Sequence, residues 1–362
     1  MTQTPSQPDQ TTDRTTVPDS GIPDANMLRR RVLSLPTLIA IIVGASLLGF
    51  ALWGIFDFEW PEVWNNIKSV HPGKYLLAFI LYYISFWFRG LRWRLIAKTA
   101  NIGGNRGRNV PTTTALSGII LIGWFANSVA FMRLGDAYRG WALSRESRSD
   151  FPSSLGTVIA ERVQDMAAIL ILILIAVILI SIEGESTVPG WVVFSASVMA
   201  SSLTLGLLIM RVAGERLSRL LPGRLESLYT DFQRGTLDSF SSRRIPFQIA
   251  LGIVSWLLEV GRFYFVADAL SVEVSFGIVM FAALANSMLT TIPTPGGFGF
   301  VEGGVTGLLI LFGLNHSDSI SLVAVDRTIS WLSVVLFGGA LFVIRHTVRP
   351  KSSAEDSKAA KR

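Results

Sequence analysis

The sequence predicts an all-α polytopic membrane protein, with about six full transmembrane helices and two re-entrant hairpins arranged as an inverted repeat in an eight-helix-type bundle. Three observations carry this expectation. Half of the 362 residues are hydrophobic and 16% are charged, with a mean hydropathy of +0.47, whereas an ordinary soluble domain is roughly 25% charged. Apolar runs of bilayer-spanning length recur along the chain. Ionisable residues sit inside those runs, and they recur in the same order in the two halves.

Composition also excludes whole classes of chemistry. A soluble enzyme is ruled out. The chain has no cysteine, and His71, His316 and His346 lie far apart in sequence, so disulfides, thiolate catalysis, zinc and iron-sulfur sites lack their usual ligands. No cofactor and no metal are expected. Lysine and arginine outnumber acids 32 to 26, but the bases lie between apolar runs, which reads as charge on one membrane face and not as a nucleic-acid footprint.

Residues 1 to 27 are rich in Thr, Gln, Pro and Asp, too polar to repay the entropy lost on ordering. A disordered cytoplasmic tail over 1–31 is expected. Arg29, Arg30 and Arg31 precede a charge-free run from Val32 to Phe56, which reads as a retained first helix and not as a signal peptide. Further runs lie at about 75–97, 113–130, 152–182, 188–210, 246–268, 275–292, 303–314 and 320–344. Those at 113, 275 and 303 are short or flow into Gly/Pro-rich or charged stretches, the mark of broken or re-entrant helices. The membrane domain is therefore set at 32–345, with a basic cytoplasmic tail at 346–362. Between the halves, residues 212–245 read as an amphipathic connector resting on anionic lipid, with Arg216, Arg219, Leu228, Phe232 and Arg234.

Charge bias orients the bundle. Arg89 to Arg108 holds six bases and no acid, and 211–244 holds seven arginines against four acids. Both belong in the cytoplasm, and both termini with them. Arg92-Trp93-Arg94 and Trp53, Trp60, Trp64 and Trp191 are read as interfacial anchors.

The repeat rests on four matches. Ser85 to Arg92 aligns with Ser255 to Arg262, Ala126-Asn127-Ser128 with Ala285-Asn286-Ser287, Leu134-Gly135-Asp136 with Phe300-Val301-Glu302, and Glu161-Arg162 with Asp326-Arg327. Helix directions inferred from the charge bias make the repeats inverted. About 75–182 and 246–344 form the two units.

The run Pro293-Thr294-Pro295-Gly296-Gly297-Phe298-Gly299-Phe300-Val301-Glu302-Gly303 resembles the PxPGGxGxxE signature of the lysylphosphatidylglycerol synthase transmembrane-region family, the flippase-like membrane proteins. Leu91 to Arg94, Arg133 to Arg139 and Glu161 to Asp165 resemble its other recurring motifs. The resemblance spans about residues 35–345. It implies a lipid-handling domain that, in bifunctional members, moves an aminoacylated phospholipid to the outer leaflet. Here the sequence runs to residue 362 without a following aminoacyl-transfer domain, so lipid lysylation is not expected and the cargo stays open.

Candidate residues follow from cost. Pro293, Pro295, Gly296, Gly297 and Gly299 cannot continue a helix, and unpaired backbone at membrane depth is tolerated only where protein or water satisfies it. The break thus points to a cavity, with Glu302 at its end. A charge at a helix centre costs roughly 2.5–3.5 kcal/mol on insertion scales, so Glu161, Arg162, Asp165, Glu259, Arg262, Asp326 and Arg327 need partners or a wet interior. The expected head-group site is Glu302, Arg162, Arg327, Glu161, Asp326, Asp136, Arg133, Arg262, Asn127 and Asn286, with arginine forks suited to phosphate. The alternative reading is a set of structural pairs locking the repeats together.

The leading functional expectation is a flippase or scramblase for membrane lipids with anionic or zwitterionic head groups, in the cell membrane. It would hydrolyse no nucleotide, since no GxxxxGK[ST] loop occurs. The alternatives are a membrane transferase of the glycosyl or aminoacyl type acting on a lipid-linked substrate, and an accessory subunit of an envelope-lipid pathway. A homo-oligomer is left open.

Overall fold

The computed structural model describes residues 60–347, apart from 105, 106, 108, 131, 132, 184–189, 220, 242 and 293. The expected first helix, both tails and Pro293 lie outside the described residues. All regular structure among the described residues is helical. The helices are α1 (Trp60–Lys68), α2 (Pro72–Thr99), α3 (Thr113–Val129), α4 (Leu134–Ser147), α5 (Phe151–Glu183), α6 (Gly190–Arg219), α7 (Arg224–Asp238), α8 (Ile245–Ala269), α9 (Phe276–Leu289), α10 (Phe300–Leu311), α11 (His316–Arg327) and α12 (Ser333–Thr347).

Among the described residues, three stretches are long and apolar enough to cross a membrane: α5, α8, and the continuous α11 to α12 rod from His316 to His346. The rod carries one π-helical turn at Thr328–Leu332. Helices α3, α9 and α10 are apolar but only 17, 14 and 12 residues long, and at 1.5 Å per residue each spans roughly 18–26 Å, less than the hydrocarbon core. The connector region 212–245 holds the last turns of α6 and all of α7.

Local chemistry sets the ends. Thr112 caps α3 by accepting from the Ala115 amide at 3.3 Å, and Ser275 caps α9 from Ile278 at 3.4 Å, so the two short helices begin alike. Helix α3 ends at Ala130, and the chain re-enters helix after Arg133, whose φ of 52° is a left-handed conformation. Helix α9 ends before Pro295, and Gly296, Gly297 and Gly299 all take positive φ, which glycine adopts without steric penalty.

Helices α2 and α8 form the spine and run antiparallel. Lys74 pairs with Asp268 at 2.7 Å near one end, Arg89 with Glu259 at 3.2 Å in the middle, and Gln248 donates to Thr99 at 3.3 Å at the other. Helix α5 packs on α7, α9 and α4. Along it, Ala168, Ile169, Leu172, Ile173, Ala176 and Ile180 are buried, while Ile171, Leu174, Ile175, Ile178 and Ile182 are exposed. An apolar outer face at helical spacing is what a lipid-facing helix presents. Helices α3 and α4 approach so closely that a Cβ on Gly135 would collide with the Gly123 carbonyl oxygen.

Candidate functional site

Glu161 and Asp165 lie one turn apart on α5, so their carboxylates share a face. Arg92 of α2 reaches both, at 3.1 Å to Glu161 Oε1 and 2.7 Å to Asp165 Oδ1. Trp256 Nε1 of α8 also donates to Asp165 Oδ1, at 3.1 Å. From α4, Arg139 pairs with the second oxygen of Glu161, and its guanidinium lies 4.5 Å from the Trp93 ring centroid. Arg162 turns the other way and bonds Asp136 Oδ1 at 2.7 Å, with Asp165 at 3.8 Å.

The residues aligned with these in the second half are paired as well. Arg262 of α8 pairs with Asp326 of α11 and stands 3.3 Å from Glu259. Arg327 binds Glu302 at 2.7 Å and donates to the Gly296 carbonyl at 2.8 Å. Arg92 with Glu161 thus corresponds to Arg262 with Asp326, and Arg162 with Asp136 to Arg327 with Glu302. Arg89 and Glu259, which occupy equivalent places in the two halves, pair with each other, and the Arg89 guanidinium lies between Trp124 at 5.0 Å and Trp256 at 4.5 Å.

The match is not complete. Where the first half has Asp165, the second has Ser330, which donates to Asp326 at 3.2 Å. Arg133 and Arg139 likewise have no counterpart in the aligned positions, Gly299 and Val305. Among the described residues of this network, seven arginines (89, 92, 133, 139, 162, 262 and 327) stand against six carboxylates (136, 161, 165, 259, 302 and 326). The excess charge falls in the first half. Arg133 is the least committed of the seven: its Nε lies 3.4 Å from Asp136, its other nitrogen donates to the Thr290 carbonyl at 3.3 Å, and its side chain is 26% exposed.

Between the two clusters lies a cavity of about 370 Å³. Its wall includes Asn127, Arg133, Asp136, Arg162, Arg262, Asn286, Gly296 and Arg327 of the sequence-derived set, with Asp165 and Glu259. Glu161, Asp326 and Glu302 are off the wall, each bound to an arginine. Glu302 does a second job, accepting from the Gly299 amide at 2.8 Å and so fastening the first turn of α10. Pro295, Gly297 and Gly299 shape the turn without lining the cavity. The break after α3 and the break after α9 meet here through the Arg133 to Thr290 bond. The π-helical turn contributes Ser330 and Trp331 to the wall, a usual setting for such turns.

Several wall groups have unmet hydrogen-bonding capacity: Arg162 Nε, Arg262 Nε, Asn286 Oδ1 and Trp331 Nε1 have no protein partner among the described residues. Buried polar groups are ordinarily satisfied, so an occupant that can both accept and donate suits this wall.

Two sequence readings are corrected. Arg92 and Trp93 are completely buried. They are not interfacial anchors: Trp93 Nε1 donates to Thr157 at 3.1 Å, and Arg92 is the bridge between the α5 carboxylates. Arg89, assigned to a cytoplasmic charge cluster, is buried inside α2 as well. The Arg-Trp-Arg pattern of a membrane interface and that of a buried cation on an aromatic shelf are the same three letters. The missed signal was the acid-rich stretch at 161–165, which needs more cations than its own helix supplies. Trp64, in contrast, is exposed on α1.

The profile of the family described as the lysylphosphatidylglycerol synthase TM region matches residues 37–338. Similar proteins include a UPF0104 membrane protein of Methanocaldococcus jannaschii, 30% identical over 226 residues that make up 61% of this chain and 94% of that protein. Another UPF0104 membrane protein, of Pyrococcus horikoshii, is 23% identical across 87% of this chain and 99% of its own length. The glycosyltransferase AglD of Haloferax volcanii is 23% identical across 91% of this chain and 58% of that protein.

Proposed function

Since the chain belongs to the lysylphosphatidylglycerol synthase transmembrane-region family of membrane proteins, we propose that its central cavity takes up the polar head of a membrane lipid and passes it between leaflets while the acyl chains stay in the bilayer. The observation that carries this reading is the wall itself: a cavity with four arginines set into a largely apolar lining, bounded by a chain break from each half, in a helical body whose outer face is apolar. The short helices α3, α9 and α10 support two re-entrant hairpins, and the antiparallel spine with its recurring ion pairs supports an inverted repeat. Two opposed halves around one midplane site are an architecture for alternating access. In this reading both termini face the cytoplasm of the cell membrane, and Arg133, Arg162, Arg262 and Arg327 hold the head group while Asp136, Glu161, Asp326 and Glu302 hold the arginines.

The test is a leaflet-exchange assay on proteoliposomes containing only this chain, with fluorescent phospholipids of several head groups and no nucleotide. Accelerated exchange that Arg162→Lys reduces supports the proposal; exchange no faster than in empty liposomes refutes it. A second reading, a transferase acting on a lipid-linked substrate, draws on the resemblance to AglD. A new, donor-dependent lipid species in mass spectra of lipids incubated with the protein would favour it.

A further inference from the structure

We infer that the cavity is selective for a phosphodiester lipid whose head is uncharged and rich in hydroxyls, such as an inositol, sugar or glycerol, and that it rejects cationic heads. The inference rests on the lipid-handling reading of the cavity and narrows it to a substrate class.

Charge is the first argument. A head group bearing an ammonium or aminoacyl cation needs a carboxylate free to receive it. The three carboxylates on the wall already face arginines: Asp136 meets Arg162 at 2.7 Å, Glu259 meets Arg89 at 3.2 Å, and Asp165 meets Arg92 at 2.7 Å through one oxygen and Arg162 at 3.8 Å through the other, which makes no hydrogen bond among the described residues. The network instead carries one arginine too many, which suits one phosphodiester anion. Removing a charge-paired acid from its arginine to serve a ligand would leave a buried cation uncompensated.

Location is the second. The surplus sits at Arg133, held by two long bonds that a phosphate oxygen can replace, next to the unpartnered Nε of Arg162. These two guanidiniums form the phosphate seat, in the first half only. The second half supplies the other seat. Thr290, whose carbonyl Arg133 touches, is hydrogen-bonded through its amide to the carbonyl of Asn286 at 3.0 Å, so the two seats adjoin. The second half adds Ser287, Thr291, Ser330 and Trp331 to the wall beside Asn286, and its two arginines there, Arg262 and Arg327, are each already paired with a carboxylate, Asp326 and Glu302. Asn286 is 4% exposed, and its side-chain oxygen lacks a donor, as the Trp331 indole N–H lacks an acceptor. A hydroxyl both donates and accepts, so a polyol can meet both at once; a trimethylammonium can meet neither. At about 370 Å³ the space is near the lower end of small-molecule sites, roughly 300–1,000 Å³, which fits one head group and excludes the chains.

The experiment has two arms. In the first, the detergent-purified full chain is melted with glycerophosphoinositol, glycerophosphocholine, glycerophosphoethanolamine, myo-inositol or inorganic phosphate. Glycerophosphoinositol should raise the melting temperature with an apparent Kd at least tenfold lower than any of the others. Arg133→Gln should abolish the shift, and Asn286→Leu should weaken it tenfold while leaving any effect of inorganic phosphate intact. Should Arg133→Gln fold poorly, Arg133→Lys, which keeps charge without the planar fork, should still lose tenfold in affinity. Equal stabilisation by glycerophosphocholine, or by inorganic phosphate alone, overturns the inference. In the second arm, labelled phosphatidylinositol and phosphatidylglycerol should exchange leaflets at least tenfold faster than phosphatidylcholine or lysylphosphatidylglycerol. Exchange of all four at one rate overturns the selectivity and leaves transport standing. Binding of glycerophosphoinositol with no exchange of any lipid refutes transport and leaves the head-group class standing.

Discussion

Neutralising Glu302 and its counterpart Asp136 should have unequal consequences, and the inequality can be worked from the contacts. Glu302 serves two donors, Gly299 N at 2.8 Å and Arg327 Nε at 2.7 Å, one with each oxygen. A glutamine has nearly the same shape but one acceptor oxygen, so in Glu302→Gln one donor must face an NH2 group. Losing the bond to the charged guanidinium costs roughly 1.5–3 kcal/mol, and losing the cap instead about 0.5–2 kcal/mol. Arg327 keeps the Gly296 carbonyl at 2.8 Å and is the single arginine that Glu302 serves, so we expect a loss of about 2 kcal/mol. Asp136 stands among three arginines, Arg162 at 2.7 Å, Arg133 at 3.4 Å and Arg139 at 3.8 Å. Asp136→Asn leaves three guanidiniums facing one another without the carboxylate they share, and that number of cations puts its loss toward the range of a broken buried pair, roughly 3–5 kcal/mol. The assay is thermal unfolding in detergent, followed by tryptophan fluorescence, with lipid exchange measured per folded molecule at a temperature where both variants remain native. Asp136→Asn should melt well below Glu302→Gln, and Glu302→Gln below the parent. If Glu302→Gln melts like the parent, or the order is reversed, the pairings described above do not operate in the membrane.

Three further outcomes are expected. Arg92→Met leaves Glu161 and Asp165 without their shared cation at a completely buried site, so it should lower stability by roughly 3–5 kcal/mol and collapse the yield of monodisperse protein, whereas Trp64→Ala on exposed α1 should change melting little. Gly135→Ala should prevent α3 and α4 from docking, because its Cβ meets the Gly123 carbonyl; Gly307→Ala on α10, where a Cβ meets nothing within 4 Å, should gain roughly 0.5–1 kcal/mol from helix propensity, and equal melting of the two variants would refute the close contact. For the topology proposed here, single cysteines can be placed in a chain that has none: Trp64→Cys should label with an impermeant maleimide from outside intact cells and Ser227→Cys on α7 only after permeabilisation, the reverse pattern inverting the bundle.

Much of the candidate site is legible in the sequence because burying charge in an apolar chain is expensive and therefore visible. Glu161, Arg162, Asp165, Glu259, Arg262, Asp326 and Arg327 stand out against their surroundings, and two of the contacts they make, Arg262 to Glu259 and Arg162 to Asp165, join residues three apart on single helices. Asn127 and Asn286 follow from the internal match alone, Asp136 from that match and from the Arg133 to Arg139 resemblance, and all three line the cavity.

What the sequence by itself determined is the solvent and the local geometry: a helical body dissolved in lipid, its short and long apolar helices, and the places where proline and glycine end a helix, since each depends on neighbours within a turn or two. Tertiary structure alone decided which charges meet. Arg89 and Glu259 are 170 residues apart, and Arg92 is 73 from Asp165, so the pairs exist only because α2 lies antiparallel to α8 and against α5. The same packing moved Arg92 and Trp93 from an expected interface into the core, and placed Glu302 behind Arg327 as its support and as the fastening of α10. An ion pair is a property of distance in space and of the water excluded around it, and neither quantity is written in the order of the residues.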